Sequence, residues 1–229
     1  MSSLPLPSDP APVAKAKDSS SLMPAVKPAA ITVGAFAVVL VVVQVVNALM
    51  SYKLGQYGIV SRTGSGLLGI VTAPFLHGSW GHLLSNLVPL VVFGFLIMVG
   101  GVRQFVAVTI LVWLISGFGV WLFGPSNAVT VGASGLVFGW LAYLVARGVF
   151  NRSVGQILLG VLLLAIWGGI FWTGIISVAL SAGETGISWQ GHLFGAIGGV
   201  LAAFLVAKAD GPRRPKVNPA AAPQLPTGF

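Results

Sequence analysis

The stretch Thr130-Val131-Gly132-Ala133-Ser134-Gly135-Leu136-Val137-Phe138 follows a loop carrying Gly124, Pro125, Ser126 and Asn127, and opens an apolar run that lasts to Arg147. The pattern predicts a loop entering a helix, with a serine between glycines at the junction. Gly132 and Gly135 have no Cβ, so a second backbone can come close to the Ser134 hydroxyl. The unpaired N–H groups of a helix start can receive an oxyanion. Small residues in apolar helices also serve helix packing, and taken alone Gly-Ala-Ser-Gly reads that way first. The remainder of the chain decides between the two readings.

Of 229 residues, 56% are hydrophobic and only 7% charged, with a mean hydropathy of +0.96. Soluble domains carry about 25% charged residues, so the composition is that of a membrane protein. The chain has no cysteine, which excludes disulfides, thiol nucleophiles and thiolate metal sites. Its net charge of +8 is not a nucleic-acid signature, because the basic residues sit in the tails and at the ends of apolar runs.

Residues 1–28 are rich in Pro, Ser, Ala and Lys and are expected to be a disordered tail. The run from Ala29 to Met50 is too long for a signal peptide and predicts a first spanning helix. Residues 51–81 form a mixed, glycine-containing segment, expected to be a long first outer loop packed partly on the protein. Five further apolar segments follow, at about 81–101, 104–123, 134–149, 156–181 and 190–207. The expectation is an all-α membrane protein, a six-helix bundle over residues 29–208, with a second disordered tail at 209–229.

Six spans put both tails on one side. That side then holds Lys15, Lys17, Lys27, Arg103, Arg147, Arg152, Lys208, Arg213, Arg214 and Lys216, against Lys53 and Arg62 on the other. The positive-inside rule makes both termini cytoplasmic, in a multi-pass protein of the cell membrane.

Most of the spans lack ionisable residues, and the polar candidates are His82 and Asn86 on the second, Ser134 on the fourth and His192 on the sixth. Such residues are functional candidates, because an unpaired polar group in hydrocarbon costs several kcal/mol. Counting from the basic residue that ends each helix, Ser134 lies about 20 Å, His192 about 24 Å and Asn86 about 26 Å from the cytoplasmic edge. His82 lies about a turn higher, on the same helix face as Asn86. Gly195 and Gly199 share a face with His192, and Gly135 and Gly139 offer a matching small surface, so the fourth and sixth spans should pack together.

Serine needs a base to become a nucleophile, and histidine is the usual one near neutral pH. The four carboxylates are Asp9, Asp18 and Asp210 in the tails and Glu184 in an outer loop. None is placed to orient His192, so the pattern points to a Ser–His dyad. The Asn86 amide, His82 and the Ser134 backbone N–H would hold an oxyanion. No HExxH zinc motif and no intramembrane aspartate pair is present.

The motifs Gly132-Ala133-Ser134-Gly135, His82-x-x-x-Asn86 preceded by His77, and Gly191-His192-x-x-Gly195-x-x-x-Gly199 resemble those of the rhomboid intramembrane serine proteases. The resemblance covers about residues 30–208 and implies Ser134 as nucleophile and His192 as general base. It implies His82, Asn86 and the Ser134 backbone as the oxyanion hole, without metal or cofactor. Phe138 stands where the family has an aromatic ring, often Tyr, beneath the catalytic histidine. The implied partners are the lipid bilayer and single-span membrane proteins, cut near the outer end of their helix. The fifth span and the loop after it would form a lateral gate. The Trp-Arg pair that many members carry in the first outer loop is missing; Leu68-Gly69-Ile70 stands before His77. Alternatives are a proteolytically inactive relative that binds membrane helices, and a small channel or carrier, which would need a polar path through the bilayer.

Overall fold

A computed structural model describes residues 23–181 and 187–210. Helix α5, Ser134–Phe150, is the centre around which the other elements stand. Every residue from Leu136 to Leu144 is buried. A helix buried on all sides must have neighbours on all sides.

Those neighbours are α3 (Trp80–Val99), α4 (Val102–Phe123), α6 (Val154–Trp167) and α9 (Trp189–Asp210), with α1 (Met23–Leu49) packed on α3. Leu40 of α1, Phe93 of α3, Val112 of α4, Leu163 of α6 and Ala203 of α9 close one core with Trp140 and Tyr143 of α5. The outer faces are apolar too: Val38, Leu84, Leu158 and Val161 are all more than half exposed. Contiguous exposed apolar faces of this kind are compatible with a lipid surround rather than water.

Four of these helices, α1 from Val26 onward, α3, α4 and α9, are long and apolar enough to cross a membrane. The expected fifth span is not one straight helix. After α6 come Gly168, the single turn α7 (Gly169–Phe171), a π-helical turn at Trp172–Ile176 and α8 (Ser177–Leu180). The two arms are bent by 57°. Taken as one broken span they raise the count to five. Helix α5, at 17 residues, is about 25 Å long and falls short of the hydrocarbon thickness. By length and composition the described residues thus give four to five spans, and α5 is the short apolar helix beside them.

Helix α1 begins at Met23, so it takes in the last residues assigned to the tail and carries Pro28 inside it. The remaining tail segments, residues 1–22 and 211–229, lie outside the described residues.

The segment between α1 and α3, expected as a loop packed on the protein, carries secondary structure of its own. It holds a 3-10 turn at Lys53–Tyr57, strand β1 (Ile59–Val60), helix α2 (Gly64–Thr72) and a 3-10 turn at Ala73–Phe75. The Thr63 hydroxyl caps α2 by accepting from the Gly66 N–H at 3.0 Å. Strand β1 pairs antiparallel with β2 (Val129–Thr130), Ile59 opposite Thr130, so the fold is not purely helical. This two-residue ribbon ties the segment between α1 and α3 to the loop that leads into Ser134.

A second tie fixes the same segment to α4. Ser61 Oγ donates to the Val120 carbonyl at 2.8 Å. The Arg62 guanidinium donates to the carbonyls of Leu122 and Gly124, both at 2.9 Å. The carbonyls at a helix C-terminus lack helical partners, and a cation there also complements the helix dipole. Arg62 anchors the segment without a Trp-Arg pair.

Candidate active site

The site begins with the turn before α5. Gly132 has φ +122, a backbone region that L side chains rarely adopt. A Cβ there would also stand 2.7 Å from His82 Nε2. The Gly132 N–H donates to the Ala73 carbonyl at 2.8 Å, which pins the turn to the segment between α1 and α3. Ala133 is the N-cap of α5 and makes no side-chain cap hydrogen bond. Its carbonyl accepts from the N–H groups of Leu136 and Val137, leaving Ser134 as the first helical residue.

Helix α9 meets α5 through its glycines. A Cβ on Gly195 would collide with the Gly135 carbonyl, and one on Gly199 with the Gly139 carbonyl. In return, a Cβ on Gly139 would lie 2.7 Å from the Gly195 carbonyl oxygen. Only hydrogen on these α-carbons allows the two backbones to come this close.

That approach brings His192 Nε2 to 2.8 Å from Ser134 Oγ. On the far side of the ring, His192 Nδ1 lies 2.7 Å from the Gly174 carbonyl oxygen. A carbonyl only accepts, so Nδ1 must carry the hydrogen. Nε2 is then the free acceptor for the serine hydroxyl. The Phe138 ring lies against the imidazole, centroids 4.0 Å apart and planes within 5° of parallel.

His82 and Asn86 reach the site from α3, whose N-terminus is capped by Ser79 Oγ accepting from the His82 N–H at 3.0 Å. Both line the same cavity as Ser134 and His192, a space of about 970 Å³. Asn86 uses one amide hydrogen to bond the His82 carbonyl at 3.0 Å, which leaves the second. His82 reaches this cavity although its helix position is a turn above Asn86.

His77 lies behind the site rather than in it. Its Nε2 accepts from the Ala133 N–H at 3.4 Å, and its ring meets that of His82 edge-on at 5.0 Å. Burial, and then the neighbouring His82, lower its pKa to about 4. A neutral ring is what accepting from Ala133 requires.

Several contributors carried little sequence signal. Asn47, a polar residue at the end of α1, donates to the His77 carbonyl at 3.0 Å and accepts from the Leu54 N–H. Its position in an apolar run was the clue. Ser116 on α4 donates to the Gly191 carbonyl at 2.8 Å, and Gln190 to the Phe123 carbonyl at 3.2 Å, so α4 holds the start of α9. Gly174 contributes a backbone atom, which no side-chain motif announces. Glu184 lies outside the described residues, and among those described Asp210 is the sole carboxylate. It pairs with Arg147 at 3.7 Å, at the opposite end of α5 and α9 from Ser134 and His192.

A model of the rhomboid domain matches residues 64–209, which is most of the chain. The chain belongs to the rhomboid family. This rhomboid is 39% identical over 184 residues to an uncharacterized protein of Mycobacterium tuberculosis, covering 78% of this chain and 75% of the relative. It is 40% identical over 187 residues to an uncharacterized protein of Mycobacterium leprae, covering 79% and 72%. A rhomboid-like protein 11, chloroplastic, of Arabidopsis thaliana is 36% identical over 157 residues, covering 60% of this chain and 52% of the relative. Family and apolar helices together make this rhomboid an integral membrane protein.

Proposed function

We propose that this rhomboid is a serine endopeptidase that hydrolyses peptide bonds of single-span membrane proteins near the outer face of the bilayer. The observation that carries the reading is the Ser134 Oγ to His192 Nε2 hydrogen bond, 2.8 Å long, on a ring whose Nδ1 is already committed to Gly174. His192 takes the Ser134 proton as Oγ attacks the scissile carbonyl. The tetrahedral oxyanion is held by the Ser134 N–H, the free Asn86 amide hydrogen and His82. The imidazolium returns its proton to the leaving amine, and a water activated by His192 then releases the acyl chain.

The cavity beside Ser134 supports the reading, since a peptide needs access where the bundle is otherwise closed. An inactive helix-binding relative would have no need of an intact dyad with a fixed tautomer.

Cleavage of a single-span substrate in liposomes tests the proposal. Ser134→Ala and His192→Ala should each lower turnover by at least about 10³-fold, because the two act as one unit. Either variant cleaving as fast as the parent would refute it. The orientation, with both termini cytoplasmic in the cell membrane, rests on the basic-residue asymmetry. The natural chain has no cysteine, so single cysteines placed in either tail can be labelled cleanly. Labelling by an impermeant thiol reagent from outside intact cells would reverse the topology.

A further inference from the structure

We infer that the Gly174 carbonyl, presented by the π-helical turn of the bent span, is a positioning group that orients His192 in place of a carboxylate. The inference rests on the dyad reading above and adds a third member to it.

The geometry has three parts. First, the Gly174 carbonyl oxygen is 2.7 Å from His192 Nδ1, and this contact fixes which ring nitrogen faces Ser134. Second, Gly174 lies within the π turn Trp172–Ile176, where the Ser177 N–H bonds back to the Trp172 carbonyl, five residues away. The wider register takes carbonyls off the α pattern, so one can turn outward to a neighbouring side chain. Third, a Cβ on residue 174 would collide with Phe138 Cζ and lie 3.0 Å from His192 Nδ1. Glycine is the residue that lets this backbone reach the stacked Phe138–His192 pair.

The chemistry is that of an acceptor dipole aimed at the N–H that becomes part of an imidazolium. A carbonyl holds the tautomer and favours the charge that develops on the ring, without the cost of burying a carboxylate. The acceptor sits on the bent span, whereas Ser134 and His192 sit on α5 and α9. Displacing that span would release Nδ1 and leave Ser134 facing a ring of unfixed tautomer.

The test weakens one carbonyl without touching a side chain. Replacing Ile175 by its α-hydroxy acid turns the Gly174–Ile175 amide into an ester, and an ester carbonyl is a poorer acceptor. The control is the same replacement at Ile176, which perturbs the helix equally and leaves the Gly174 carbonyl an amide. The ester at 175 should lower kcat about two- to tenfold relative to the control, with KM unchanged, as expected for loss of a neutral hydrogen bond. Nitrogen NMR of labelled histidines, with His192 assigned from His192→Ala, should show the Nδ1–H tautomer in parent and control and a mixture in the 175 ester. Equal kcat and equal tautomer populations in the two esters would overturn the inference. The spectrum needs no substrate. A tautomer shift in the 175 ester together with a parent that does not cleave would sink the protease reading and leave this one standing.

Discussion

The α5–α9 pair and the bent span from α6 to α8 are built from similar residues and behave as opposites. Between α5 and α9 the glycines face one another, and Cβ atoms on either side would strike backbone. In the bent span Gly168 and Gly169 stand at the break, and only Gly160, Leu163 and Val178 are buried along its length. Glycine that faces glycine across an interface allows close packing; glycine within one helix and without such a partner allows a bend. The proposed nucleophile and base occupy the first kind of region, and the acceptor that orients the base occupies the second.

The sharpest challenge to this division comes from α3, which flanks the pair. If fixed helices hold the oxyanion, Asn86→Ala should lower kcat about 10²-fold with little change in KM. A loss confined to KM would place Asn86 in substrate binding instead.

The pair itself can be broken directly. Gly199→Ala puts a methyl group into the Gly139 carbonyl, and such overpacking should cost about 1–3 kcal/mol, read as a lower midpoint of thermal unfolding in detergent. Leu158→Ala on the exposed face of α6, where the side chain is 64% exposed, should stay within about 0.5 kcal/mol. Equal destabilisation would erase the distinction between the two regions.

A smaller effect is expected at Phe138, which lies on α5 but also meets Phe171 of the bent span, centroids 5.6 Å apart and edge-on. Phe138→Tyr keeps the ring and should be near neutral in kcat. Phe138→Leu removes the surface on which His192 rests and should cost less than about tenfold, since the hydrogen bonds to Ser134 and Gly174 remain. The order Tyr above Leu is the readout.

The mildest test uses pH. His77 is neutral in the fold, with its pKa lowered to about 4 from 6.5. Between those values the unfolded chain binds a proton that the folded chain refuses, so stability should fall as pH drops through that window and be flat above it. His77→Gln should reduce the slope even if it lowers the midpoint at neutral pH.

The side-chain members of the candidate site were legible because polar residues are scarce in these helices. His82, Asn86, Ser134 and His192 stand out against apolar neighbours, and helical rise alone put three of them at similar depth. What stayed hidden has a common cause. Residues 64–69, Gly-Ser-Gly-Leu-Leu-Gly, read as loop because glycine is a poor helix former. In the structure Gly66 and Gly69 lie against the backbone of Val60 and Gly58, so tertiary contact outweighs propensity. Gly174 and the carbonyls bound by Arg62 act through backbone atoms, which every residue possesses. The bend at Gly168 was concealed by an apolar run continuous from Ile157 to Ile170, which periodicity cannot divide.

The central claim is that His192 makes the Ser134 hydroxyl reactive, and covalent labelling tests it most directly. A fluorophosphonate should modify Ser134 in the membrane-inserted parent, mapped by mass spectrometry, and should leave the serine unmodified in His192→Ala. Labelling of Ser134 at the same rate in both proteins would contradict the account.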